Sequence, residues 1–157
     1  MAWEFSVLVV ANVTATSEEL LDTLRERSER GACRFTLLMP RSGQDAEQRL
    51  EAAIEKMREA GLPKVTGRVG DPDPIVATME LWDPMEFDEI VVSTLPTGVS
   101  RWLGVDVPRR LEKLTSVPVR HVVSQPPEEQ KVRWEKVPER EDQSGVLSPL
   151  KAAFTRR

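Results

Sequence analysis

One apolar run, Phe5 to Val13, constrains the fold of this chain more than any other stretch. Its sequence, FSVLVVANV, is rich in β-branched residues and hardly alternates between polar and apolar positions. A run of this kind is typical of a central strand in a parallel sheet, which is covered on both faces. The chain is therefore expected to place helices on both sides of a sheet built around this strand.

Strand-like and helix-like segments alternate along the following residues. The further predicted strands are residues 34–39, 64–69, 89–93 and 117–123, with a helix between each pair of consecutive strands. Alternation of this kind predicts an α/β fold, a five-stranded parallel sheet joined by right-handed crossovers. We expect the strand order 3-2-1-4-5, which brings the carboxyl ends of strands one and four to the switch point where open α/β sheets place ligands.

Local signals define the helices. Thr16 and Glu19 form a capping box that predicts the start of the first helix. The second helix is amphipathic, and its charged side, which includes Arg49, is interpreted as a solvated face. In the third helix, Pro74 to Leu81, three apolar side chains are expected to face the core: Ile75, Val76 and Met79.

Composition restricts the partners. The net charge of -4, from 22 Lys+Arg against 26 Asp+Glu, argues against a nucleic-acid-binding or anionic-membrane surface. Cys33 is the only cysteine, so the chain has no disulfide framework and no cysteine cluster for a metal. Val7 to Val13 is too short to span a bilayer, and Glu4 precedes it where a signal peptide has basic residues. We expect a cytoplasmic protein without membrane insertion.

The composition changes after Val123. Residues 124–143 mix charges of both signs with prolines, and residues 147–157 have the spacing of a short helix. We expect an α/β domain at residues 1–123 and a charged, proline-containing extension at residues 124–157. A loosely docked terminus is the favoured interpretation of the extension, and a binding segment for a protein partner is the alternative.

The residues offer little for catalysis. His121, the single histidine, lies in an apolar strand run and is interpreted as a surface or satisfied strand histidine. Ser93 ends the fourth strand, but no G-x-S-x-G elbow surrounds it. The Asp71 and Asp73 pair is explained by turn and helix-cap chemistry. We therefore expect no enzyme, with weak nucleotide hydrolysis as the least favoured hypothesis.

The loop after the fourth strand is the remaining candidate site. It supplies hydroxyl groups, a flexible backbone and one fixed cation from these residues: Ser93, Thr94, Thr97, Gly98, Ser100 and Arg101. A helix follows, and helix N-termini favour anions. Pro96 removes a backbone donor, and Asp106 brings a carboxylate that a helix cap explains. Two interpretations of this loop therefore stay open, a phosphate or nucleotide site and an ordinary connection between two elements.

The chain resembles the universal stress protein family over residues 6–123. In that family the first strand ends with Asp, which Gly-Ser follows. This chain has Asn12 in place of the Asp and Thr14 in place of the Ser. The family's Gly-x-Pro after the third strand matches Gly70-Asp71-Pro72, and its fourth strand, D-x-I-V, matches Asp88 to Val91. Ser93 to Leu103 also resembles small actinobacterial stress-protein-like domains that carry S-T-x-P-x-G-x-S-R-W-L.

The resemblance implies a Rossmann-like fold of the adenine nucleotide alpha hydrolase type. It also implies ATP or another adenine nucleotide as ligand, although the glycine and hydroxyl positions of the ATP loop hold other residues here: Ser93, Pro96, Asp106 and Val107. Another nucleotide, a phosphorylated metabolite and complete loss of binding all stay open. The ligand-binding residues implied by the loop and the resemblance together are Asn12, Thr14, Gly70, Ser93, Thr94, Gly98, Ser100 and Arg101.

Two functional hypotheses follow. The first is a regulatory or binding module of the stress-response type with its ligand between strands one and four. The second is an interaction scaffold that forms a homodimer through the edge of the fifth strand, at Val117, Val119, Val122 and Val123. In the second hypothesis the extension binds a protein partner.

Overall fold

The computed structural model describes residues 3–96, 102 and 105–125. In these residues the strands are β1 (Phe5–Val10), β2 (Cys33–Pro40), β3 (Val65–Gly70), β4 (Glu89–Thr94) and β5 (Val119–Val123). The helices are α1 (Glu18–Glu29), α2 (Ala46–Glu59), α3 (Pro74–Leu81) and α4 (Val107–Thr115). All described residues belong to one compact unit, Met1–Pro127. The extension lies outside them apart from its first two residues, so the predicted domain boundary stays a prediction.

The five strands form one parallel sheet in the order β3-β2-β1-β4-β5. The predicted fold class and strand order are confirmed. At the carboxyl end of β1, Val10 lies between Leu38 of β2 and Val92 of β4. The apolar run is therefore the central strand, with a neighbour on each side.

The core lies in two layers, one on each face of the sheet. Val7 and Val9 of β1 pack with α1 and α2, whereas Leu8 and Val10 pack with α3 and α4. Each of these four side chains is fully buried, which stabilises the fold by about 1.5–3 kcal/mol per side chain. None of the described helices is long and apolar enough to cross a membrane.

The start of α1 differs from the capping-box prediction by one residue. Ser17, not Thr16, is the N-cap, because its side chain accepts a hydrogen bond from the backbone N–H of Leu20 at 3.2 Å. Asp73 caps α3 as the turn chemistry predicts, accepting from the N–H of Ile75 at 2.8 Å.

The orientation of α3 also differs from the prediction. Ile75 is buried as expected, but Val76 and Met79 are exposed, and Ala77 is buried in their place. The helix approaches β3 so closely that a Cβ on Gly70 would lie 2.9 Å from the Cβ of Ala77. The small residues at positions 70 and 77 permit this close approach.

Strand β5 is an edge of the sheet, as predicted. Val123 is exposed there, and Val117 and Val119 are partly buried against the second core layer. Val122 points the other way, as neighbouring residues of a strand do, and its side chain is buried in the first layer. The predicted dimer contact at this edge stays a prediction.

Candidate functional site

The candidate site is the crevice at the carboxyl ends of β1 and β4. The chain leaves β1 for α1 on one face of the sheet, and α4, the next described helix after β4, packs on the other face. Connections that diverge in this way open a crevice at the switch point of the sheet. The side chains on its two sides decide what it can bind.

On the β2 side, Asn12 is held by two hydrogen bonds. Its Nδ2 donates to the backbone carbonyl of Pro40 at 2.9 Å. Its Oδ1 accepts from Nη1 of Arg49 at 2.8 Å. A carbonyl can only accept and a guanidinium can only donate, so these partners fix the orientation of the amide.

Arg49 reaches this position from α2. Its Nε lies 3.2 Å from Oδ1 of Asp45, and its Nη2 donates to the backbone carbonyl of Ser42. The guanidinium thus ties the loop between β2 and α2 to the end of β1. The prediction that Arg49 belongs to a solvated helix face was wrong, because its side chain is only 30% exposed.

On the β4 side, three hydroxyl groups form a row. The Oγ of Ser93 lies 2.7 Å from Oγ1 of Thr14 and 2.9 Å from the Oγ of Ser124. The three residues are 1%, 1% and 0% exposed, respectively. The row therefore joins the ends of β1, β4 and β5 beneath the surface, and the hydroxyl groups satisfy one another.

Thr94 faces the other side of the sheet and pairs with the histidine. Its Oγ1 lies 2.7 Å from Nε2 of His121 and also donates to the carbonyl of Leu95. Burial lowers the pKa of His121, and the charge of Asp106 acts in the opposite direction. The interpretation of His121 as a satisfied strand histidine is confirmed.

Asp106 is the N-cap residue of α4 by position. It has a left-handed backbone (φ 55°, ψ 53°), and its side chain accepts no capping hydrogen bond. The prediction was therefore right about the position of Asp106 and wrong about its carboxylate, which makes no capping hydrogen bond. Among the first residues of α4, Pro108 has no N–H to offer, as its place in the first turn allows.

Gly70 lies at the end of β3, with β2 and β1 between it and β4. Its carbonyl accepts from the backbone N–H of Arg41 at 2.9 Å. A Cβ here would also come within 3.0 Å of Leu38 Cδ1, so the close approach of α3 accounts for the glycine. Packing explains this residue without a ligand.

Apart from Gly70, the predicted site residues thus divide into three groups. Thr14 and Ser93 are in direct contact. Asn12 and Thr94 lie at the ends of the neighbouring strands β1 and β4, but Asn12 is hydrogen-bonded to Pro40 and Thr94 to His121. Three predicted residues lie outside the described part of the chain: Gly98, Ser100 and Arg101. Sequence reasoning missed Ser124 as the third hydroxyl and Arg49 as the partner of Asn12. The sequence does contain a signal for Ser124. It lies directly after the fifth strand, as Ser93 lies near the end of the fourth.

Among the described residues, the candidate nucleophile and the candidate base have separate partners. Ser93 has hydroxyl partners, whereas the ring of His121 pairs with Thr94. Nucleophilic catalysis instead requires the base to contact the nucleophile. In the part of the chain that the structure describes, no three His, Cys, Asp or Glu side chains are grouped to hold a metal ion.

The sequence itself has no match among protein-family models, and no curated protein matches it either. Solved structures do match. A universal stress protein in complex with cAMP superposes with a TM-score of 0.60 and 20% identity, covering 80% of this chain and 100% of that chain. The universal stress protein of Archaeoglobus fulgidus in complex with dAMP gives a TM-score of 0.55 and 15% identity, covering 78% and 99%.

A further structure of a universal stress protein from Archaeoglobus fulgidus superposes with a TM-score of 0.53 and 14% identity. It covers 75% of this chain and 93% of that chain. In all three cases nearly the whole neighbour is matched, together with three quarters or more of this chain. The chain therefore has the fold of the universal stress proteins.

Proposed function

We propose that the chain is a divergent universal stress protein, a non-enzymatic cytoplasmic module that binds a nucleotide or phosphorylated metabolite in the crevice between β1 and β4. The observation that carries this proposal is the group of polar side chains at the carboxyl ends of β1 and β4. Asn12 and Arg49 lie on the β2 side, and the buried hydroxyl groups of Thr14 and Ser93 support the β4 side from beneath. Similar folds crystallised with cAMP and dAMP support a nucleotide as the ligand class.

The two sides of the crevice suit different parts of a nucleotide. Phosphate groups prefer backbone N–H groups at a loop before a helix. In this proposal the phosphates therefore lie at the loop after β4. The residues proposed to contact them are Ser93, Thr94, Gly98, Ser100 and Arg101. Thr14 and Ser93 already bond each other, so their hydroxyl groups support the floor. The base then lies toward Asn12. Gly70 keeps only its packing role in this proposal.

Calorimetric titration with ATP, ADP, AMP, cAMP and GMP tests the proposal, together with mass spectrometry of any ligand that co-purifies. We expect at least one nucleotide to bind and Arg101→Ala to weaken it. Arg30→Ala is the matched control, because Arg30 is an exposed cation at the C-terminal end of α1. No heat of binding from any of these nucleotides at millimolar concentration would overturn the nucleotide proposal.

A second candidate function is a homodimer scaffold. It is favoured by the edge position of β5 and by Val123, which is 47% exposed on that edge. A lysine on an exposed strand edge opposes edge-to-edge pairing, so Val123→Lys should convert a dimer into a monomer in sedimentation experiments. Val105→Lys is the control, since Val105 is also exposed but lies before α4. An unchanged monomer in all forms would exclude the scaffold.

The extension has its own role in this second candidate. We propose that residues 124–157 bind a protein partner, and truncation after Ser124 separates this role from that of the edge. A truncated chain that keeps its dimer and loses a partner supports the division. A truncated chain that loses the dimer contradicts it.

A further inference from the structure

The sheet face that carries α3 and α4 is only partly covered by helices. Helix α3 has 8 residues and is about 12 Å long, whereas β2, which also has 8 residues, is about 26 Å long. The helix lies at the carboxyl ends of the strands, where Ala77 packs close to Gly70. The amino ends of β2 and β3 therefore lie beyond the reach of α3.

A cleft of about 380 Å³ lies at these amino ends, at the opposite end of the sheet from the candidate site. Its size is within the range of small-molecule sites in proteins. Three hydroxyl side chains line it, one from each of β1, β2 and β3: Ser6, Thr36 and Thr66. Thr36 is in register with Thr66 on one side and with Leu8 on the other. Ser6 precedes Leu8 by one strand repeat, so the three hydroxyl groups lie on one face of the sheet.

Ser6 has a buried hydroxyl group without a partner. The residue is 3% exposed, and its Oγ makes no hydrogen bond within the described part of the chain. Its backbone is engaged, because its N–H donates to Oδ2 of Asp88 at 2.9 Å and its carbonyl accepts from the N–H of Asp88 at 2.8 Å. Buried polar groups are nearly always hydrogen-bonded, so the free hydroxyl of Ser6 in the wall of the cleft indicates a partner from outside the chain.

The charged side chains of the cleft offset one another. Nζ of Lys64 lies 2.6 Å from Oε2 of Glu4. Nη2 of Arg34 lies 3.5 Å from Oε1 of Glu86 and 3.4 Å from its carbonyl oxygen. Since these two cations and two carboxylates leave the lining without net charge, an ion of either sign would be attracted by one member of each pair and repelled by the other. The lining therefore favours a neutral ligand.

The two ion pairs differ in strength. The contact of Lys64 with Glu4 is short, whereas that of Arg34 with Glu86 is at the upper limit of a hydrogen bond, between side chains that are 45% and 60% exposed. Arg34 and Glu86 can therefore exchange their weak contact for hydrogen bonds to a ligand. A guanidinium only donates and a carboxylate only accepts, while a hydroxyl group does both. A neutral ligand with several hydroxyl groups can thus satisfy Arg34, Glu86 and Ser6 together.

We propose that this cleft is a second binding site, for a neutral polyhydroxylated molecule such as a sugar or a polyol. Hydroxyl groups of the ligand bind the Arg34 guanidinium and the Glu86 carboxylate, and a further one binds Oγ of Ser6. The site does not depend on nucleotide binding, because it shares no residue with the crevice between β1 and β4.

NMR titration of the full labelled chain with glucose, sucrose and inositol tests the proposal. We expect at least one of them to shift the amide signals of residues 6, 34–36 and 64–66 in a saturable way, while the signals of residues 11–14 and 93–95 stay in place. Ser6→Ala should weaken that binding about twofold to tenfold, the effect of one hydrogen bond. Arg34→Ala should weaken it at least as much. Ser28→Ala is the control, because that hydroxyl group bonds the carbonyl of Arg25 in its own helix.

Ser6→Ala also separates binding from folding. It removes a hydroxyl group that has no partner in the described part of the chain, so the variant should keep its thermal stability while its affinity falls. Unchanged affinity in both Ser6→Ala and Arg34→Ala would overturn the proposal, since the ligand would then bind elsewhere.

The remaining outcomes test the class of ligand. No saturable shift at the cleft with any of the three compounds at high millimolar concentration would overturn the proposal and leave water as the partner of Ser6. Tighter binding of phosphate, an anion, or of glycine betaine, a zwitterion without hydroxyl groups, would overturn it as well. None of these compounds is a nucleotide, so each outcome leaves the proposed function standing.

Discussion

Thr14 and Ser93 share a hydrogen bond of 2.7 Å between their hydroxyl oxygens, although 79 residues separate them in the sequence. The bond joins the end of β1 to the end of β4 at the base of the candidate crevice. Ser124 extends it to the end of β5 at 2.9 Å. The floor of the crevice is thus a closed row of hydroxyl groups that depends on all three strands.

Removal of the central hydroxyl should destabilise the fold. Ser93→Ala leaves two buried hydroxyl groups with fewer partners, so we expect a loss of about 1–3 kcal/mol in the free energy of unfolding. Urea denaturation measures it. Ser28→Ala, which removes a helix hydroxyl bonded to its own turn, is the control and should change stability by less than about 0.5 kcal/mol.

A double-mutant cycle of Thr14→Val with Ser93→Ala measures the coupling within the row. Residues in one buried network couple by about 0.5–3 kcal/mol, so the double variant should be less destabilised than the sum of the single variants. Additive losses would show that the two hydroxyl groups act independently, against the row as a unit.

Asn12→Ala should lower the free energy of unfolding by more than the small size of the removed group suggests. The buried Pro40 loses the donor to its carbonyl, and Arg49 loses an acceptor, so a loss of about 1–3 kcal/mol is expected by urea denaturation. Hydrogen exchange should also become faster in residues 41–45, because Arg49 no longer ties that loop to β1. Gln48→Ala, an exposed polar truncation on α2, should leave both measurements unchanged.

Gly70→Ala should destabilise by about 1–3 kcal/mol through overpacking, because the added methyl group would lie 2.9 Å from Ala77 Cβ. Gly31→Ala is the matched control, since no atom lies within 4 Å of a Cβ at that position. Ala77→Gly added to Gly70→Ala should restore part of the loss in thermal unfolding. A ligand-contact role for Gly70 would instead lower affinity without lowering stability.

The stability of the chain should fall slightly on acidification from pH 7.5 to 5.5. Burial lowers the pKa of His121 in the folded state below its ordinary value, so the unfolded chain binds the proton more readily. The contribution is present above the unfolded pKa and is lost as the pH falls through it toward the folded pKa. His121 is the only histidine, so His121→Gln should remove the slope in this window. Asp106→Asn should steepen it, because the Asp106 charge raises the pKa of His121.

The sheet could be predicted from the sequence because its signals are local. The run from Phe5 predicts a central strand, and the four α-β units that follow leave few arrangements for a parallel sheet. Strand bounds moved by one or two residues in most cases, and β1 ended three residues early, at Val10, because the chain turns there toward α1. Periodicity did not fix the rotation of α3, since nearly every side of that helix is apolar.

The details of the site could not be predicted in the same way. Arg49 looks like one more charge on a solvated helix face until the fold brings it to Asn12, 37 residues away in the sequence. Ser124 looks like the start of the extension until β5 pairs with β4 and places it beside Ser93. These contacts depend on the packing of separate elements, which no local pattern contains.

Backbone amide shift mapping by NMR, with GMP and AMP titrated in turn into the labelled chain, tests whether a nucleotide binds at the carboxyl ends of β1 and β4. We expect the largest shifts on residues 11–14 at the end of β1 and on residues 93–95 at the end of β4. No shifts with either nucleotide at millimolar concentration would contradict nucleotide binding at this site. So would shifts gathered at the opposite end of the sheet, around Ser6 and Arg34.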